Sequence, residues 1–301
     1  MNGYIGLTKR NLLLYFKDRQ AIIFSLLTPI IVFMLYLLFL KNNYVDSIQQ
    51  IVQAMHLSIQ ERSIDLIVYT MLLTGITGSS LITIPYSCLS TIVKDKESKV
   101  DADIATTPMK RYQIALAYYT SATISAFVMT SLLFTIGLLF MQSVGHLYLA
   151  TDTILRLYGT IGIGSISATA CLMVLVLFFR STAASDAFYG LLSAGCGFVI
   201  GAYIPLSQFS KSIQTVCNLL PATHITVMMR NLLTKGFLTH IKKSILGGNL
   251  FVKEIKNVFS FQATMFDHEI SMNQSLSYIG ILFVLSLFAI VFVYAKTYRR
   301  K

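Results

Sequence analysis

Six stretches of this sequence run for 18 residues or more without one Asp, Glu, Lys or Arg: 21–40, 66–93, 112–151, 157–179, 187–210 and 270–295. Crossing ~30 Å of hydrocarbon takes ~20 helical residues, so each run is long enough to pass through a bilayer. Hydrocarbon offers the backbone no water, which restricts spans to helices or closed barrels. These runs are too long and too uniformly apolar for barrel strands. Only 12% of the 301 residues are charged, against about 25% in a soluble domain, and the mean hydropathy is +0.68. The expected fold is an all-α polytopic membrane protein with six transmembrane helices.

The expected layout places an interfacial helix at 1–20 and spans at 21–40, 64–93, 112–142, 154–179, 186–204 and 274–296. A polar loop at 94–111 and an external segment at 205–273 complete it, and 1–301 forms a single transmembrane domain. In the N-terminal helix, Tyr4, Leu7, Leu14 and Tyr15 fall on one side of a helical wheel, with Lys9, Arg10 and Lys17 elsewhere, as in a helix lying in the interface. A further window, 212–229, is also uncharged but contains Asn218, Pro221 and His224. It reads as a re-entrant or surface helix pair, since such backbone is tolerated where protein covers it.

Basic residues near span ends orient the layout. They gather before the first span (Lys9, Arg10, Lys17, Arg19), in the 94–111 loop, and at the C-terminus (Lys296, Arg299, Arg300, Lys301). Both termini and the loop are therefore expected in the cytoplasm of a multi-pass plasma-membrane protein. Residues 205–269 carry seven basic side chains on the expected outer side, which a long loop tolerates.

Several chemistries lack their motifs. The chain has no P-loop, nucleophile elbow, HExxH or dinucleotide fingerprint, so no catalytic residue is assigned. The histidines (His56, His146, His224, His240, His268) match no metal-ligand spacing. The four cysteines (Cys88, Cys171, Cys196, Cys217) show no C-x-x-C pair and read as buried apolar residues. No metal site is expected. Asp65, Arg156, Arg180 and Asp186 sit near span ends rather than at the midplane, which disfavours an ion-coupled carrier.

The loop at 94–111 packs nine charged side chains, five basic and four acidic, into 18 residues. Mixed signs argue against a simple anionic-lipid anchor, and Pro108 suits a break before the next span. Such a turn is built to dock a protein partner. Three stretches here resemble the ABC-2 type permeases, the membrane subunits of ATP-binding-cassette exporters. They are RNLLLYFKDRQAIIFSLLTPIIVFMLYLLF (10–39), KDKESKVDADIATTPMKRYQIALA (94–117) and IPLSQFSKSIQTVCNLLPATHITVMMRNLL (204–233). In the second, Ser98 and Lys99 stand where the family commonly has Gly-Thr.

The resemblance implies a cytoplasmic coupling helix within 94–111, with Glu97, Pro108, Lys110 and Arg111 at the core of the contact with a separate ATPase dimer. ATP and Mg would be bound by that partner, and this chain would bind no cofactor. A second permease copy or a sister permease and membrane lipid are the other expected partners, with no nucleic acid. Gly190, Ala194, Gly197 and Gly201 form a small-residue stripe, a candidate for dimer or pathway packing. Thr74, Thr77, Thr83 and Ser87, within a longer hydroxyl row, are candidates for the pathway wall, or bond back to their own helix. Leu220, Pro221, Thr223 and Arg230 mark the external re-entrant segment. Export of a drug, antimicrobial peptide or lipid-like metabolite is the expected function. The alternatives are export of a polysaccharide or teichoic-acid-type polymer, and a non-transporting sensor or immunity protein that binds a peptide outside.

Overall fold

The computed structural model describes residues 2–145, 147–245 and 247–297. His146, the side chain of Lys296, and Arg299, Arg300 and Lys301 lie outside the described residues. Helix α1 (Asn2–Lys17) ends at Asp18, whose side chain caps α2 (Arg19–Leu35) by accepting from the Ala21 amide at 3.0 Å. The first span does not stop at residue 40. A π-turn over Tyr36–Leu40 carries it directly into α3 (Lys41–Ala54), making one rod of 36 residues. Apolar periodicity fades at Lys41, but Tyr44 and Ile48 remain buried, and this packing keeps the backbone helical beyond the uncharged run.

Next come α4 (Glu61–Glu97), the short α5 (Val100–Thr106), α6 (Arg111–Val144), α7 (Thr151–Val176) and α8 (Thr182–Val199). A 3-10 turn at Leu206–Gln208 leads to α9 (Lys211–Cys217), α10 (Pro221–Ser244) and α11 (Gly248–Val258). A small hairpin of β1 (Ala263–Met265) and β2 (His268–Ile270) precedes α12 (Met272–Thr297). The strands pair antiparallel with Met265 opposite His268. Phe266 and Asp267 between them both have positive φ (49° and 66°), the geometry of a two-residue primed turn. An all-helical reading leaves this hairpin out, because its two strands have only three residues each, too few to show a period-two pattern.

Helix α4 is the axis of the fold. Of its most apolar 18-residue window 89% is buried, against 28% for the α2–α3 rod and 17% for α12. Side chains such as Ile23, Leu38, Phe288 and Phe292 are largely exposed, as suits helices whose outer solvent is lipid rather than water. Two apolar cores sit along α4. The one toward its Glu61 end gathers Tyr36, Ile48, Ile67, Phe134, Phe251 and Phe259. The other, toward its Glu97 end, gathers Tyr15, Leu89, Ala122, Met173 and Ile290.

Among the described residues five helices are long and apolar enough to cross a membrane: the α2–α3 rod, α4, α6, α7 and α12. The remaining expected span, 186–204, corresponds to α8, which starts at Thr182 and has 18 residues, about 27 Å. It ends because Gly201 takes φ +70° and the Ala202 and Tyr203 amides turn back to donate to the Gly197 carbonyl at 2.8 and 3.1 Å. A side chain at 201 would be strained by that φ and crowd Leu206.

The segment after α8 folds back beside the axis. A Cβ added to Gly78, near the middle of α4, would lie 2.2 Å from the Thr226 hydroxyl of α10. Helix α10 thus begins against the middle of the bundle and runs toward the Glu61 end, where Gly236 approaches the Tyr148 backbone.

Candidate functional site

Three consecutive charges close the Glu97 end of α4, and each is tied to a different part of the bundle. Asp95, with its side chain 7% exposed, accepts two hydrogen bonds from the Arg10 guanidinium of α1, at 2.6 and 2.8 Å, and a third from the Tyr118 hydroxyl of α6. A forked guanidinium–carboxylate contact is the strong, directional form of ion pair. The carboxylate holds Arg10 above its ordinary pKa, the hydrogen bond outweighing the opposing effect of burial. Lys96 donates to the Leu177 carbonyl at the end of α7, at 2.9 Å, where a cation suits the helix C-terminus. Glu97 accepts from the Thr182 amide at 3.0 Å and from the Thr182 hydroxyl, so a carboxylate sits at the N-terminus of α8 beside the Ser181 cap.

Helix α5 hangs directly from this fastening. Lys99 opens it in the left-handed region, φ 63°, turning the chain sharply away from α4. Its first turn carries Asp101 and Asp103, acidic groups that suit a helix start. The Lys110 amide then donates to Gln113 Oε1 at 2.9 Å to begin α6. Glu97, Pro108 and Lys110 are exposed and Arg111 is half-buried. Residues of α1 (Tyr4, Leu7, Arg10), of α5 (Ile104) and of the turn after it (Pro108, Met109) together line a cleft of about 510 Å³. Of the expected interfacial face of α1, Leu7 and Tyr15 are buried, whereas Leu14 is exposed. The inward face is completed by Thr8, Asn11 and the half-buried Arg10.

The sequence reading puts Glu97, Pro108, Lys110 and Arg111 at the core of one contact; the structure sets Glu97 at the end of α4, bonded to Thr182, and the other three beyond α5, at the start of α6. That reading misses Arg10, Asp95, Tyr118 and Lys96. The available signal was a carboxylate, Asp95, one helical turn beyond the buried Ile92 and in phase with it.

The small-residue stripe does not form one surface. Gly190 and Ala194 are exposed and line an apolar groove of about 720 Å³ between α2 and α8, with Phe24, Phe39, Tyr189 and Phe198. Gly197 and Gly201 are buried in the chain's own packing: a Cβ at 197 would lie 2.3 Å from the Tyr203 ring. The stripe divides because α8 stops at Val199 and the chain folds over its own last turn.

The hydroxyl row of α4 faces the interior. Thr74, Thr77 and Thr83 are buried and donate to the Thr70, Leu73 and Ser79 carbonyls at 2.8, 2.8 and 3.1 Å. Half-buried Ser87 donates to the Ala21 carbonyl at 3.4 Å. These protons satisfy helix backbone, and the small side chains let neighbouring helices close on the axis.

In the segment expected to be re-entrant, Leu220 and Pro221 start α10, with Pro221 at its first position. Thr223 donates to the Cys217 carbonyl at 2.7 Å, bridging α9 to α10. Arg230 is 2% exposed and donates to the carbonyls of Phe259, Ser260 and Gly201 at 2.7, 3.1 and 3.2 Å. It pins the end of α8 and the strand-side loop to α10 without a carboxylate. Among the described residues the cysteines are free thiols, and no three His, Cys, Asp or Glu side chains gather as a metal site.

A buried central helix, apolar outer helices exposed on the bundle surface and five helices long enough to cross a bilayer are the features of a multi-pass membrane protein. Residues 43–295 match the ABC-2 family transporter proteins, and the chain belongs to that family. It is thereby a membrane permease subunit of an ABC transporter, a family that normally works with an ATP-binding subunit. A comparison with curated proteins found no match.

Proposed function

We propose that the chain exports a hydrophobic or amphipathic compound, driven by ATP hydrolysed in a separate pair of subunits that grip the turn at 94–111. The observation that carries this reading is the triple fastening of Asp95, Lys96 and Glu97. Force applied to α5 reaches α1, α6, α7 and α8 at once, because the lever is tied to all four rather than suspended on loose loops. Pro108, Lys110 and Arg111 supply the docking contact, while Glu97 acts chiefly by holding α8. On this reading the turn and both termini are cytoplasmic, and the Glu61 end of α4 is external.

The groove between α2 and α8 is the proposed cargo or permease–permease surface. Its lining is mostly apolar, with Thr28 and Ser193 among its few polar groups, which suits an apolar or amphipathic cargo. Its aromatic rings also favour a second reading, export of a glycan polymer, since rings stack on sugar faces. The re-entrant α9–α10 segment closes the external end, with Arg230 as its pin. The hydroxyl row at Thr74, Thr77, Thr83 and Ser87 has a packing role in this scheme.

Replacing Pro108 and Lys110 together by alanine tests the docking contact. Both side chains are exposed, so the permease should fold and reach the membrane normally. Stimulation of the partner's ATP hydrolysis should fall at least tenfold, as expected if about 1.4 kcal/mol or more of contact energy is lost. Unchanged stimulation would remove the turn from the mechanism.

A further inference from the structure

At the Glu61 end of α4, on the opposite side of the bundle from the charged turn, a cavity of about 590 Å³ opens between α7, α10, α11 and α12. Four basic residues line it, Arg156, Lys235, Lys242 and Lys256, and none of its lining residues is acidic. Arg156 is paired with Asp152 at 2.9 Å. Among the described residues no carboxylate stands within ion-pair distance of the three lysines. The floor is apolar, formed by Ile163, Met228, Leu232 and Leu276. Its polar members are already engaged: Thr160 donates to the Arg156 carbonyl, Thr234 to the Arg230 carbonyl, and Asn231 to the Phe261 carbonyl. What the cavity offers a ligand is therefore cationic groups above a hydrocarbon surface.

Its position adds a second constraint. Arg156 lies in the second turn of α7 and Met272 opens α12, so the rim sits where these two spanning helices leave the membrane. Ile163, Met272 and Leu276 are exposed, at 39%, 42% and 37%, so the floor continues into the lipid-facing surface of both helices. A ligand entering sideways from the bilayer would meet the apolar floor with its tail and the lysines with its head. Unbalanced positive charge at headgroup depth attracts acidic lipid. Burial, reinforced by neighbouring Lys242, presses the Lys256 ammonium below its ordinary pKa, and a bound anion would relieve that repulsion.

We infer that this cavity is a binding site for an anionic phospholipid, whose phosphate is held by Lys235, Lys242 and Lys256 and whose acyl chains lie along α7 and α12. The site is separate from the proposed α2–α8 cargo groove and does not depend on what that groove carries.

The test uses the purified full-length chain in detergent, titrated with fluorescent phosphatidylglycerol, with phosphatidylcholine and inorganic phosphate as competitors. The wild type should bind phosphatidylglycerol and resist displacement by phosphatidylcholine. Its affinity should weaken as salt rises from about 0.05 to 0.5 M. Replacing Lys235, Lys242 and Lys256 by glutamine should weaken binding roughly 100-fold. A control with Lys243→Gln and Lys253→Gln, which lie outside the cavity, should bind as the wild type does. Thermal unfolding of each variant reports whether it is folded, and the salt and competitor tests need no variant. Equal binding by the triple variant, or insensitivity to salt, overturns the site. Displacement by phosphatidylcholine at equal concentration overturns the charge selectivity. Displacement by millimolar inorganic phosphate shows an ion site without a lipid and overturns the acyl-chain part.

Discussion

Asp95 shows how much a single side chain can organise. One carboxylate accepts from α1 and from α6 while its own helix carries on toward α5. Asp95→Ala should lower stability by about 2 kcal/mol, the worth of a charged hydrogen-bonded contact, as read by thermal unfolding. Arg10→Lys keeps the charge but loses the fork, so it should fall between wild type and Asp95→Ala; wild-type stability in Asp95→Ala would mean that the pair is ornamental. Arg230 is the second such residue. Arg230→Met keeps an apolar stem but leaves three carbonyls without a donor, at about 1–3 kcal/mol for each orphaned group. The expected outcome is faster proteolysis at the 200–210 turn and a lower unfolding temperature, and unchanged cleavage would mean that the turn is held by other contacts.

At the scale of elements, α4 decides the reading of its neighbours. Its hydroxyls are spent on helix carbonyls, its own and those of α2, so their row marks a tightly packed axis. Replacing Thr74, Thr77 and Thr83 by alanine should leave transport near wild type, while stability falls by no more than about 1 kcal/mol per site. Transport lost from a folded triple variant would return that row to the pathway. The existence of the long helices was legible because charge-free runs of this length have few alternatives. Their ends were less so. The first span runs on into α3 because Tyr44 and Ile48 find a buried surface, a tertiary fact that local composition does not carry. The division of the Gly190–Gly201 stripe had the same cause, since only the fold shows Tyr203 returning onto Gly197. The forked pair of Arg10 and Asp95 joins residues 85 positions apart, and one sequence offers no means of matching them. Arg230 was singled out as a marker, but the three carbonyls it holds come from segments that only folding brings together.

The whole molecule has a charged turn at one end, fastened by three successive side chains to a bundle along whose opposite end α10 runs. Family membership supplies the permease class, and the fastening supplies a physical route by which a partner's motion could enter it. The most direct measurement places a photo-reactive phenylalanine at position 110 and irradiates native membranes containing the co-expressed transporter. The account predicts a cross-linked product containing a P-loop ATPase, and none when the same group is placed at position 243. Absence of the ATPase adduct from a folded, transport-competent protein, or labelling of position 110 by an impermeant reagent added outside intact cells, would contradict it.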